Sequence, residues 1–181
     1  KDALKAYEML LSKEKSIGVI LNYDVSNEKK KEIELKNYHV NKTENKISVS
    51  VIGAGNYSSR TIIPNLSKLN VKLNWISASS GLAPMYFGKK FGFNKASTDV
   101  DEVINDKDTN AIFIATRHDS HAQLVKNSLQ AGKNTFVEKP LCLTEKELEE
   151  ISKILKKSKK LFMVGFNRRF APLVKDLKRM L

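Results

Sequence analysis

The sequence predicts an α/β protein built on a doubly wound parallel sheet with helices on both faces. Three observations carry that expectation. From Ile47 to Val164, apolar strand-like runs alternate with amphipathic helical stretches. The runs are short and nearly all apolar, as in strands covered on both sides. The first of them ends in Gly53-Ala54-Gly55 and passes directly into a helical pattern.

Each element follows in order. Asp2–Leu11 sets Leu4, Tyr7, Leu10 and Leu11 at helical spacing, and Ile17–Tyr23 reads as a short β-branched strand. Asp24–Lys46 is polar and lysine-rich, the composition of a linker, so a boundary is expected near residue 46. Ile47–Ile52 is the first strand of the regular region and Tyr57–Leu69 its helix. Pro64 should kink or shorten that helix, because proline lacks an N–H and its ring collides with the carbonyl four residues back. Val71–Ala78 is the second strand and Leu82–Phe91 a helix. Val100–Asn105 takes the place of a third strand, and Ala111–Ala115 is the fourth. Helix His121–Ala131, strand Thr135–Val137, helix Glu145–Lys157 and strand Leu161–Val164 complete the alternation, and Arg169–Leu181 opens a further helix. The expected domains are 1–46, the tail of a preceding domain plus linker, then 47–165, and finally 166–181, the start of a further, truncated domain.

Composition narrows the function classes. Lys and Arg number 32 against 20 Asp and Glu, a net charge of +12 that raises the question of an anionic partner. Of the basic residues 27 are Lys and five are Arg, whereas base and phosphate readers favour the planar bidentate guanidinium, so nucleic acid is not expected. The single Cys142 excludes an internal disulfide and a cysteine metal cluster, and a reducing, cytoplasmic setting is expected. No apolar run reaches the roughly 18–20 residues that span a bilayer, so no membrane partner is expected either.

Chemistry-bearing residues gather at the strand ends. A strand that ends in Gly53-x-Gly55 and enters a helix lets backbone approach a pyrophosphate, whose charge then sits on the helix N-terminus. With Asn56, Tyr57 and Ser58 this is a Rossmann-type dinucleotide loop in which Ser58 replaces the usual third glycine. The second strand ends at Ser79-Ser80-Gly81 with no carboxylate for a ribose 2′-hydroxyl, so NADP is permitted beside NAD, and Lys89 or Lys90 is a candidate for a 2′-phosphate. After the fourth strand come Thr116-Arg117-His118-Asp119-Ser120-His121. Two histidines so close suggest a metal pair, but nothing completes a site, and no metal is expected; Asp119 or Ser120 reads as a helix N-cap. Glu138-Lys139-Pro140 follows the fifth strand, where a partly desolvated ammonium can donate a hydrogen bond to substrate. Asn167-Arg168-Arg169 follows the sixth and suits an anion in the same cleft. Cys142 reads as structural.

Taken together, Val51-Ile-Gly53-Ala-Gly55-Asn56, Ile114-Ala-Thr116-Arg-His118-Asp-Ser-His121, Ala131-Gly-Lys-Asn-Thr-Phe-Val-Glu138-Lys139-Pro140 and Gly165-Phe-Asn167-Arg168-Arg169-Phe170 resemble the glucose–fructose oxidoreductase / inositol dehydrogenase / MocA (Gfo/Idh/MocA) family over residues 47–175. The resemblance implies NAD or NADP as cofactor and a sugar or polyol as substrate. It implies that Lys139 contacts substrate near the nicotinamide, that Glu138 and Thr116 border the cofactor, and that His121 and Arg168 lie near the nicotinamide end. In that family an α/β domain on an open antiparallel sheet follows, supplies most of the substrate pocket and helps form a homo-oligomer. Its absence here predicts cofactor binding without turnover. Asp2–Leu11 with Ser16–Tyr23 resembles the last helix and strand of a zinc-type alcohol dehydrogenase, the layout of bi-domain oxidoreductases associated with surface-polysaccharide sugars. The competing reading is a non-catalytic dinucleotide-sensing module. A methyltransferase would have no use for Glu138-Lys139-Pro140.

Overall fold

The computed structural model describes residues 3–12, 18–20, 31–35 and 46–181. The chain divides into two units, Lys1–Lys30 and Lys31–Leu181. In the first, α1 (Ala3–Leu11) is closed by Ser12, whose N–H and Oγ both donate to the Met9 carbonyl. Of the strand expected over Ile17–Tyr23 only residues 18–20 are described, and they form no strand, while most of the Asp24–Lys46 stretch lies outside the described residues.

The second unit is one seven-stranded sheet. Its strands are β1 (Glu32–Glu34), β2 (Ser48–Ile52), β3 (Lys72–Ser77), β4 (Lys95–Ser97), β5 (Ala111–Ile114), β6 (Asn134–Glu138) and β7 (Phe162–Gly165). Its helices are α2 (Ile63–Leu66), α3 (Leu82–Phe91), α4 (Val100–Asn105), α5 (His118–Gln130), α6 (Glu145–Lys157) and α7 (Pro172–Met180). The spatial order is β1-β4-β3-β2-β5-β6-β7, parallel throughout except β1, which lies antiparallel on β4. The winding reverses between β2 and β5, so a crevice opens beyond the carboxyl ends of those two strands.

Both faces are packed, which explains why the runs are mostly apolar. Val49 and Val51 point to one side, against Ile63 and Leu66 of α2 and the partly buried apolar residues of α3. Ile52, one residue on, faces the other side with Ile112, Ile114 and Val137, under Val125 and Leu129 of α5 and Ile151 of α6. The doubly wound sheet of the sequence reading is therefore the observed fold.

Two local expectations change, and the break expected at Pro64 takes a specific form. The third strand is Lys95–Ser97, three residues that are too short to show a periodicity, while Val100–Asn105 is helix α4, capped by Asp99 accepting from the Asp101 N–H at 3.1 Å. Within the stretch read as linker, Lys31–Leu35 belongs to the sheet unit: β1 pairs with β4, and Leu35 is buried in the core against Gly88 and its surroundings. A strand of alternating charge, Glu-Ile-Glu, suits an edge and gives no apolar signal. Pro64 is accommodated by a π-helical turn over Ser58–Ile62, in which the Ile63 N–H reaches back to the Ser58 carbonyl, and the proline then occupies the first turn of α2, where no N–H is missed.

At the edge opposite the crevice, Lys133 is buried and its Nζ donates to the carbonyls of Asp106 at 2.6 Å and Thr109 at 2.9 Å. Burial holds its pKa below the ordinary lysine value, with the nearby Asp106 carboxylate opposing that shift. Asp106 in turn accepts from Asn74 and from the Thr109 hydroxyl, both at 2.8 Å. Lys133→Met keeps the volume and leaves two carbonyls without their donor, so it is expected to cost about 1–3 kcal/mol in urea unfolding. An unchanged midpoint would mean that the ammonium contributes nothing net.

Candidate functional site

The crevice begins at Gly53. Its φ of +104° is one that side-chain-bearing residues rarely adopt, and its N–H donates to the Ser77 carbonyl at 2.7 Å, tying β2 to the end of β3. A Cβ built on Gly53 would meet the backbone of β5's end, 2.5 Å from the Ala115 carbonyl carbon and 2.8 Å from the Thr116 nitrogen. Gly55 is different. It is exposed, its φ is not positive, and a Cβ there would touch nothing within 4 Å. The helix starts immediately behind it, with the Ser59 N–H bonded to the Gly55 carbonyl at 2.9 Å, so the amides of the first turn have no intrahelical acceptor and face the open space over Gly55. Ser58 sits in the tight helix–sheet contact, 1% exposed, and its hydroxyl has no partner among the described residues.

At the end of β3, Ser79 and Ser80 are exposed beside the crevice. Lys89 and Lys90 are not near them. α3 runs back from Gly81 toward the opposite sheet edge, so its last turn lies about 12 Å away along the helix, and Lys90 instead rests against the Phe91 ring at 5.4 Å. Their candidacy for a 2′-phosphate is withdrawn on that geometry.

β5 leads into Thr116, whose Oγ1 is bonded to the Ser120 Oγ at 2.6 Å, while Ser120 donates to the Arg117 carbonyl at 2.8 Å. The N-cap of α5 is Arg117 rather than Asp119 or Ser120. Arg117 and His118 are exposed at the crevice edge, and the His118 ring meets His121 edge-on at 5.7 Å. His121 is fully buried, with Nδ1 at 2.7 Å from the Pro140 carbonyl and Nε2 at 3.2 Å from the Thr116 carbonyl. His121 therefore stays beside the Thr116 and Pro140 loops, with both ring nitrogens engaged by backbone carbonyls. The imidazole is a strut that holds the β5 and β6 loops together, because α5 turns its first-turn residue at that position inward. Among the described residues no group of three His, Cys, Asp or Glu side chains stands close enough for a metal.

β6 ends at Glu138, 9% exposed, whose Oε2 accepts the Lys139 N–H at 3.3 Å. Glu138 lies over the end of β7 in the space left by Gly165, where a Cβ would come within 2.8 Å of Oε1. Lys139 is exposed, and its peptide bond to Pro140 is cis. Beyond β7 the chain turns sharply, with the Phe166 N–H bonded to the Val164 carbonyl at 2.8 Å, and Asn167 donates from Nδ2 to the Tyr57 hydroxyl at 2.8 Å. Arg168 is exposed, and Arg169 lies over the Phe166 ring at 5.4 Å. Every strand-end motif read from the sequence therefore meets at one sheet edge. The Tyr57–Asn167 contact, between residues 110 positions apart, has no signal in the sequence.

The donor set fits a dinucleotide: a side-chain-free backbone at Gly55, unpaired amides behind it, and Arg117, Lys139 and Arg168 exposed along the rim with no ion pair to another described residue. Residues 47–166 match the model of an oxidoreductase family with an NAD-binding Rossmann fold. The oxidoreductase YrbE of Bacillus subtilis is 30% identical over 133 residues, 73% of this chain and 39% of its own length. The NAD-dependent scyllo-inositol 2-dehydrogenase of the same organism is 36% identical over 91 residues, 50% of this chain and 27% of its own. Among solved structures, the myo-inositol 2-dehydrogenase of Lactobacillus plantarum superposes with a TM-score of 0.71 at 26% identity, covering 75% of this chain and 41% of that one. A 3-ketoreductase of Actinomadura kijaniata, solved with NADP and TDP-benzene, shares the fold at 23% identity and a TM-score of 0.69 over 75% of this chain and 43% of its own. The chain thus spans about a quarter to two fifths of the length of such relatives.

Proposed function

Because this chain belongs to the Gfo/Idh/MocA oxidoreductase family, with an NAD-binding Rossmann domain, we propose that it holds NAD or NADP across the β2–β5 crevice and presents the nicotinamide to a sugar or polyol at Lys139. The observation that carries the reading is the pair of glycines. Gly53 closes the backbone onto β5, and Gly55 leaves open the space in front of the helix amides.

The bound nicotinamide supplies hydride transfer, and the chain's own residues supply the rest. Gly55 and Asn56 receive the pyrophosphate on the first helical turn, Ser58 is small enough to let that turn pack closely on the sheet, and Ser79 and Ser80 border the adenosine ribose. Without a carboxylate at that position, either a 2′-hydroxyl or a 2′-phosphate is accepted. Thr116, Arg117, His118 and Glu138 line the crevice between the two ends. Lys139 donates from its ammonium to the reacting oxygen of the substrate, stabilising the charge that develops there, and Arg168 adds a second positive group. His121 contributes by keeping the Thr116 and Pro140 loops at fixed separation. The relatives include inositol 2-dehydrogenases and a levoglucosan dehydrogenase, which supports that substrate class. In a longer protein a following domain would complete the pocket. An upstream zinc-type dehydrogenase domain and a role in polysaccharide sugar chemistry extend the same reading.

A folded sample titrated with NADH and with NADPH tests the proposal. Ligand at 100 times its Kd is expected to raise stability by about 2.7 kcal/mol, read as a concentration-dependent increase in melting temperature. A flat response to both nucleotides would overturn the reading.

A further inference from the structure

The loop beyond β7 does not stay over its own strand. β2 and β7 are separated by β5 and β6, three strand spacings or about 14 Å, yet the two strand ends are joined by the hydrogen bond from Asn167 Nδ2 to Tyr57 Oη. Two local features produce this. The tight turn at Gly165 sends the chain back across the sheet edge, with Asn167 opening a 3₁₀ turn over Asn167–Phe170. On the other side Tyr57 is helical and 42% exposed while its successors Ser58 and Ser59 are buried, so its ring rises from the helix start away from the sheet. The bond therefore passes over the ends of β5 and β6, where Thr116, Glu138 and Lys139 stand.

Resting on the cofactor-binding reading above, we propose that Tyr57 and Asn167 form a clasp over the nicotinamide half of the crevice. The pair holds the dinucleotide's reactive end in place and leaves the adenosine half, at Ser79 and Ser80, outside its span. Tyr57 and Asn167 are then positioning residues. The physical basis is one hydrogen bond at an exposed site joining segments that follow non-adjacent strands of the sheet, and its loss frees the β7 loop to lift.

The test compares NADH with ADP, which has no nicotinamide. Tyr57→Phe removes only the hydroxyl, and Asn167→Ala removes the donor. Each is expected to speed NADH release in stopped-flow displacement by about three- to tenfold, the scale of one net hydrogen bond. ADP affinity should not change, and the double variant should be no worse than the single ones. Unchanged NADH release in Tyr57→Phe, an equal loss of ADP and NADH affinity, or additive effects in the double variant would each overturn the clasp. Wild-type chain that binds neither nucleotide would overturn the cofactor reading itself, which separates the two failures.

Discussion

Gly53→Ala is expected to lower stability by about 3 kcal/mol, a fall in melting temperature of roughly 6–12 °C for a unit of this size. Two costs add. Alanine at a φ of +104° is strained before any contact is counted, and its methyl would be driven into the Ala115–Thr116 backbone, which cannot rotate away as a side chain does. Relief requires β2 and β5 to separate at the switch point, and those strands are registered from Val49–Ala111 to Ile52–Ile114. Nucleotide binding should fall with it, since the Gly53–Ser77 bond that sets the loop would be broken. Thermal unfolding of the variant without ligand is the direct measurement. A melting temperature within a degree of wild type would show that the loop relaxes freely and that Gly53 is not the tie described here.

Gly55→Val should do the opposite. Its side chain would meet no protein atom at Cβ, and the backbone there is not in a glycine-only region, so the variant should fold with a stability close to wild type. It would place an isopropyl group where the pyrophosphate must approach the backbone. NADH and ADP affinity should both drop by about a hundredfold, close to 2.7 kcal/mol. Retained affinity would move the phosphates away from this loop. The two glycines are two residues apart and chemically identical, and the expected split between stability and binding follows from what surrounds each one.

Much of the fold was legible because its signals are local. Val49 and Val51 with Phe113 and Phe136 on one face, and Ile52 with Ile112, Ile114 and Val137 on the other, make the strands apolar on both sides, and the helices between them carry one-sided apolar stripes, so a parallel sheet with helices on both sides follows from periodicity. The strand-end motifs were legible for a similar reason: glycine, Glu-Lys-Pro and Asn-Arg-Arg each sit where a strand stops. Less was legible where three residues must serve. Lys95–Ser97 is too short for a pattern, and Glu32–Glu34 has the charges of an exposed edge, so a strand went unseen in a stretch with linker composition.

The sequence by itself determined the doubly wound sheet, the glycine loop and the set of polar groups at the strand ends, because each depends on residues within a few positions of one another. Only the tertiary structure decided which of those groups face the crevice. His121 turns inward to bridge two carbonyls, Lys89 and Lys90 are carried to the far edge by the direction of α3, and Tyr57 meets Asn167 across three strand spacings. Such outcomes depend on helix rotation and on how strands far apart in sequence are ordered in the sheet, and neither is encoded in the spacing of residues along the chain.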